Sequence, residues 1–177
     1  MKRDIRSSAI LLLLIALAFV VFWFVGRYAE GYFAGTQFTS RFPEKTLNYT
    51  ADQLQALVLS DVGKGYAVPV LFPLDLMVML ALSASMGTAL WYWLGPAMTV
   101  AVRIALLIPA IYLLSDFIED CLLVWLLLGK HADAVPAVIG LLKTITAVKL
   151  GSIVATIGLT TIAFLIWLHP RLRSRSY

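Results

Sequence analysis

Residues Ala9 to Val25 read AILLLLIALAFVVFWFV, an unbroken apolar run without one charged side chain. A helix that crosses a membrane needs about 20 predominantly apolar residues, so the bilayer, and not a soluble core, sets the limits on this chain. The basic start Met1-Lys2-Arg3 would suit a secretory signal peptide. The apolar run is longer than a signal core, however, and Gly26-Arg27-Tyr28-Ala29 offers no small-x-small cleavage site. It reads as a first span over about 9–26.

Three further runs have the same character. The second covers about 70–94 and is closed by Gly95-Pro96, since glycine and proline end helices and make turns. The third covers about 97–128 and stops at Gly129-Lys130. The fourth covers about 148–168, stops at His169-Pro170, and has a helical lead-in from Val138. The expectation is an all-α, four-helix transmembrane bundle, one membrane domain over 1–177, with an outer loop at 27–69. Composition agrees: 61% of residues are hydrophobic and 14% charged, against about a quarter charged in soluble domains.

Basic residues next to spans stay in the cytoplasm. The net charge of +4 gathers at the two ends, Lys2, Arg3 and Arg6 at one and Arg171, Arg173 and Arg175 at the other. That is the pattern of membrane orientation and not of nucleic-acid binding. Four spans put both tails on one side, so N and C termini are expected in the cytoplasm and the protein in a bacterial cytoplasmic (inner) membrane. Trp23 and Tyr28 mark one interface, and Trp91, Tyr92, Trp93 and Trp167 the other. A single cysteine, Cys121, excludes an intrachain disulfide and a cysteine zinc site, and is expected to be buried packing. His131 and His169 both sit at helix ends, which excludes a haem held by two histidines between helices. No metal and no cofactor are expected. Arg103, near the inner end of the third span, suits a side chain that reaches back to the interface.

The outer loop carries Asn48-Tyr49-Thr50 ahead of ADQLQALVLSDVG. Thr50 and Gln53 form a capping box, and Leu54, Leu57 and Val58 share one helical face. A short amphipathic helix between spans 1 and 2 follows, lying on the surface or lidding the bundle, with Gly63 and Gly65 breaking it. Asn48-Tyr49-Thr50 also matches the N-glycosylation pattern, though the capping role is the better fit.

The informative residues are the ionisable ones near the apolar spans, because charge in lipid is costly. Asp75 lies twenty residues before Gly95, and Asp116 twenty after Pro96. At 1.5 Å per residue both sit ~30 Å above the shared turn. Lys149 and Arg27 fall at the same level on the fourth and first spans, so each helix offers one charge to a common layer. Glu119 and Asp120 stand one turn above Asp116 on the same face, with Tyr112 and Pro109 below it. The fourth span adds a stripe of Lys149, Ser152, Thr156 and Thr160, and its Gly151, Ala155 and Gly158 would allow close approach of a neighbour. The candidate polar layer is therefore Arg27, Asp75, Tyr112, Asp116, Glu119, Asp120 and Lys149. It is either a set of structural ion pairs and interface anchors or a functional crevice.

Three classes of function fit. The first is a binding, accessory or complex-forming membrane subunit, with the bilayer and a lipid or protein on the outer side as partners. Its sign would be a bundle with no enclosed cavity at the charged layer. The second is a small ion-coupled transporter using the membrane carboxylates, although no inverted repeat is visible. The third is a membrane enzyme acting on a lipid through paired carboxylates. In length and span count the chain is similar to the EXPERA family of sterol isomerases and sterol-binding four-helix proteins. That similarity of layout implies a lipid pocket with acidic residues and assigns no residue here. No HExxH, GxSxG, P-loop or CxxC motif is present, and the balance of features leans to a non-enzymatic protein.

Overall fold

The computed structural model describes residues 5–38, 46–94 and 100–173. The Gly95-Pro96 turn and the tail residues Lys2, Arg3 and Arg175 lie outside them. Among the described residues the chain is predominantly helical, with no strand. The elements are α1 (Ile5–Phe33), α2 (Ala51–Leu59), α3 (Asp61–Gly65), an irregular segment Tyr66–Asp75, α4 (Leu76–Leu94), α5 (Val100–Gly129), a 3-10 turn Ala132–Ala134, and α6 (Val135–Arg173).

Three stretches of the described residues are long and apolar enough to cross a membrane: Arg6–Phe33, Asp61–Leu94 and Ala132–His169. The expected count was four. α5 is 30 residues long, but Arg103, Asp116, Glu119 and Asp120 interrupt its apolar sequence, so it does not join the other three on composition. The apolar surface of these helices is turned outward. Leu13, Phe24, Met77, Val154 and Ile166 are each more than half exposed, as suits helices that meet hydrocarbon.

Helix boundaries follow local chemistry. α1 runs seven residues past the expected end of the first span at 26 and takes in the start of the expected loop. The second apolar run does not begin as regular helix at Val70. Val68 and Phe72 have extended backbones (φ −134° and −136°) inside Tyr66–Asp75, because each precedes a proline whose ring clashes with a helical neighbour. Pro73 then opens the helical turn that carries Asp75 into α4, a position where its missing N–H costs nothing. α5 ends in a left-handed residue, Lys130 (φ 52°), after which the His131 N–H donates to the Leu126 carbonyl at 3.1 Å. That six-to-one bond is the Schellman arrangement that satisfies late helix carbonyls. α6 starts at Val135, three residues before the expected lead-in, with Pro136 in its first turn.

The loop helix has the expected cap. The Gln53 N–H donates to Thr50 Oγ1 at 3.3 Å, and the Thr50 N–H donates to Gln53 Oε1 at 3.0 Å. Leu54, Leu57 and Val58 are fully buried. Gly63 and Gly65 do not break the helix, contrary to expectation. The break falls at Ser60, whose extended backbone ends α2 and whose Oγ accepts from the Gly63 N–H to start α3.

Packing divides into three clusters along the bundle. At the lid end, α2, α3 and the irregular segment pack with Ala29 and Phe33 of α1, Leu123, Leu126 and Leu127 of α5, and Leu142 of α6. The middle holds Ala18, Val78, Met79, Leu82 and Tyr112. At the far end Ala89, Leu90, Trp93, Ala163 and Trp167 meet, and the Trp93 indole N–H donates to Ser8 Oγ at 3.2 Å. α4, α5 and α6 pack against one another, while α1 packs on α4.

Candidate functional site

Just below the lid, the α5 and α6 stripes meet. Residues Tyr112, Asp116, Glu119 and Leu123 recur at helical spacing on α5 and are all buried. Thr146, Lys149, Ser152, Thr156 and Thr160 do the same on α6. The Lys149 ammonium bridges the two helices, 2.7 Å from Asp116 Oδ1 and paired also with Glu119. The Thr146 hydroxyl donates to Glu119, and Tyr112 lines the same cavity as Asp116, one turn below it on α5. Below Lys149, Thr156 and Thr160 each donate to the carbonyl four residues back, at 2.8 and 2.7 Å. Their hydroxyls are thereby satisfied inside α6.

Asp75 enters from the end of the irregular segment, immediately before α4. Its carboxylate and those of Asp116 and Asp120 each bring an oxygen within 4.8 Å of the others. Oxygen donors at such spacing can bridge a hard cation, although Lys149 already brings positive charge to this group.

A cavity of about 330 Å³ opens on this charged group. Asp75, Tyr112, Asp116 and Lys149 form its polar end. Phe19 and Phe22 of α1 and Leu150, Ile153 and Ile157 of α6 form its walls. A second cavity of about 160 Å³ continues toward the far end, shares Phe19 and Ile157, and adds Leu12, Trp93, Thr160 and Phe164. Together they make a cleft between α1 and α6, apolar along its length and charged at its head. On the other side of the α4–α5 contact, Asp120 and Cys121 line a small apolar pocket with Phe72 and Phe117.

The lid closes the top of the charged group. Tyr49, immediately before the α2 cap, is buried. Burial first, and the nearby Glu119 carboxylate second, push its hydroxyl up to about 12. The Lys143 ammonium lies 5.0 Å from the centre of its ring, within reach of a cation–π attraction. The Gln55 side-chain amide donates to the Ala132 carbonyl at 3.0 Å and ties α2 to the turn before α6.

Six of the seven expected residues come together: Asp75, Tyr112, Asp116, Glu119, Asp120 and Lys149. Arg27 does not. Its side chain is 63% exposed and pairs with Glu30 at 2.8 Å on the same helix, with Trp23 stacked near its guanidinium. Gly151 and Gly158 are exposed, with nothing near the position a Cβ would take, so they mediate no close approach within this chain. Cys121 is exposed and not buried. Thr146 and Tyr49 were not anticipated. Thr146 stands one turn above Lys149 on the same stripe and could have been found by extending it. Phe19 and Phe22 had no signal within an apolar run.

No family model, curated protein or solved structure matches the chain.

Proposed function

We propose that this is a four-span membrane protein that binds an amphiphilic ligand in the cleft between α1 and α6. The ligand's apolar chain lies along Phe19, Ile153 and Ile157, and its polar head meets Asp75, Asp116 and Lys149. α5 is the fourth span, its carboxylates turned inward onto Lys149 and away from lipid. Both tails lie on the cytoplasmic side of a bacterial inner membrane and the lid lies outside, as the basic residues at the two ends argue. A reporter active only in the cytoplasm is then active at Met1 and Tyr177 and silent when inserted near Lys45. Activity from the loop position overturns this threading.

The observation that carries the binding role is the cavity of about 330 Å³ with a charged head and apolar walls. Ligand sites are concave, mostly apolar and equipped with a few convergent polar groups, within about 300–1,000 Å³. An accessory subunit held together only by its charged layer has no need of a cavity there. A second role, a proton or cation carrier, draws on the same cluster, since Asp75 and Asp116 face the cleft while Asp120 lines the pocket on the other side of α4–α5.

The binding role is tested with a twelve-carbon chain bearing a photoactivatable diazirine, offered to the protein in phosphatidylcholine nanodiscs. Labelling is expected on peptides around Phe19–Phe22 and Leu150–Ile157. Ile153→Trp fills the cleft and should cut that labelling about tenfold, equivalent to ~1.4 kcal/mol of binding, while thermal melting stays unchanged. Labelling scattered evenly over the lipid-facing surface, and insensitive to Ile153→Trp, overturns the binding role.

A further inference from the structure

We infer that the ligand of this cleft is a lipid already resident in the bilayer, and that it enters sideways between α1 and α6, in the plane of the membrane. This rests on the ligand-cleft role above and adds the source of the ligand and its route.

Three features carry the route. The first is where the cleft is exposed. Its head is closed: Tyr112, Asp116 and Lys149 are 5%, 1% and 6% exposed, and Asp75 beside them is part-buried. Its apolar flank is open. Leu12 of α1 and Ile157 of α6 line the far cavity and are 40% and 38% exposed, and Thr161 beside them is exposed as well. The mouth therefore lies at the apolar end, between the two helices. A route from water to the polar head would need the reverse.

The second is what lies outside that mouth. Both walls belong to stretches long and apolar enough to cross a membrane, Arg6–Phe33 and Ala132–His169. Ile157 stands twelve residues before His169, ~18 Å along the helix, against a hydrocarbon layer of about 30 Å. Leu13 and Leu17 of α1, and Val154 and Ile162 of α6, are exposed apolar side chains at nearby levels. The mouth is therefore bathed in lipid chains. A solute in water must cross hydrocarbon to reach it, whereas a bilayer lipid already lies against it.

The third is the lid. Leu54, Leu57 and Val58 are fully buried in one cluster with Leu123 and Leu127 of α5 and Leu142 of α6. The Gln55 amide ties the same helix to the Ala132 carbonyl. Entry from the outer side must break that bond and expose those apolar side chains to water, which opposes opening. Entry through the mouth disturbs neither, because α1 packs on α4 and on Tyr66–Asp75 and the cleft separates it from α6.

The test uses the full-length protein with Cys121→Ala in phosphatidylcholine nanodiscs, and the diazirine-bearing twelve-carbon chain as probe. Leu12→Cys with Thr161→Cys puts a thiol on each wall of the mouth, and a reducible bifunctional thiol reagent ties the two together. Probe offered after tying should label the Phe19–Phe22 and Leu150–Ile157 peptides about tenfold less, since a closed mouth slows association. Probe loaded before tying should be trapped and label fully, and reduction should restore labelling in the first case. Thr161→Cys alone, carrying a bulky maleimide, should show the same dependence on order. Gln55→Cys with Ala132→Cys, tied in the same way, fastens the lid and should leave labelling unchanged. Labelling that is equal in both orders, high or low, overturns the inference. So does a loss on fastening the lid, which marks a water-borne amphiphile. Failure of the untied protein to label the cleft at all overturns the binding role itself.

Discussion

α6 forms two seams, and they differ. Against α5 it is closed and polar: Lys149 sits between Asp116 and Glu119, and Thr146 reaches Glu119. Facing α1 it is open and apolar, and Leu150, Ile153 and Ile157 look across a cleft at Phe19 and Phe22. In water the second seam would collapse first, because apolar burial drives soluble packing. In a bilayer lipid chains are as apolar as leucine, and helices are held by tight packing and by polar contacts. The polar seam is the one that closes, and the apolar seam is left for something that can fill it.

The largest expected effect tests the closed seam. Lys149→Met strands Asp116 and Glu119 without their cation, and breaking a buried pair by removing one partner costs about 3–5 kcal/mol. A marked fall in the melting temperature in detergent is expected. Because Lys149 serves two carboxylates, Asp116→Asn added to Lys149→Met should recover only part of the loss, and Glu119→Gln added to both should recover most of it. A Lys149→Met protein as stable as the parent would mean that the polar stripe does not hold α5 to α6.

A smaller effect is expected where the lid meets the top of that seam. A Cβ at Gly63 would collide with the Leu57 carbonyl and come within 2.8 Å of Leu127 Cδ2 on α5. Gly63→Ala is overpacking, at about 1–3 kcal/mol, and should be confined to the lid. Amide exchange should rise across Ala51–Gly65 while the middle of α5 and α6 stays protected. Exchange that rises equally in α6 would show that lid and bundle unfold as one.

Much of the closed seam was legible in the residues because height along a helix is a matter of counting. Asp75 and Asp116 are equidistant from the Gly95-Pro96 turn, and Lys149 stands at the same level, so their meeting follows from 1.5 Å per residue. Direction around a helix is harder to read in an apolar run. Arg27 has the right height but the wrong azimuth, and it points outward to Glu30. Cys121 and Gly151 sit off the polar stripes of α5 and α6, on faces turned outward. The open seam was not legible for the same reason: nothing distinguishes Phe19 from Phe24 until α1 is docked on α4. The prolines at 69 and 73 did mark where regular helix fails, since each bars its predecessor from helical backbone.

α6 runs unbroken for 39 residues, ~58 Å at 1.5 Å per residue, against a hydrocarbon thickness of about 30 Å. Its prolines, Pro136 and Pro170, sit near its two ends and leave no hinge between them. The helix is one continuous rod, and Lys149 divides it into two arms. One arm is the cleft wall at Ile153 and Ile157. The other passes Leu142 and ends at Val135, beside the Gln55–Ala132 bond that moors the lid. One rigid element thus carries both the apolar wall of the cleft and the point where the lid is tied down.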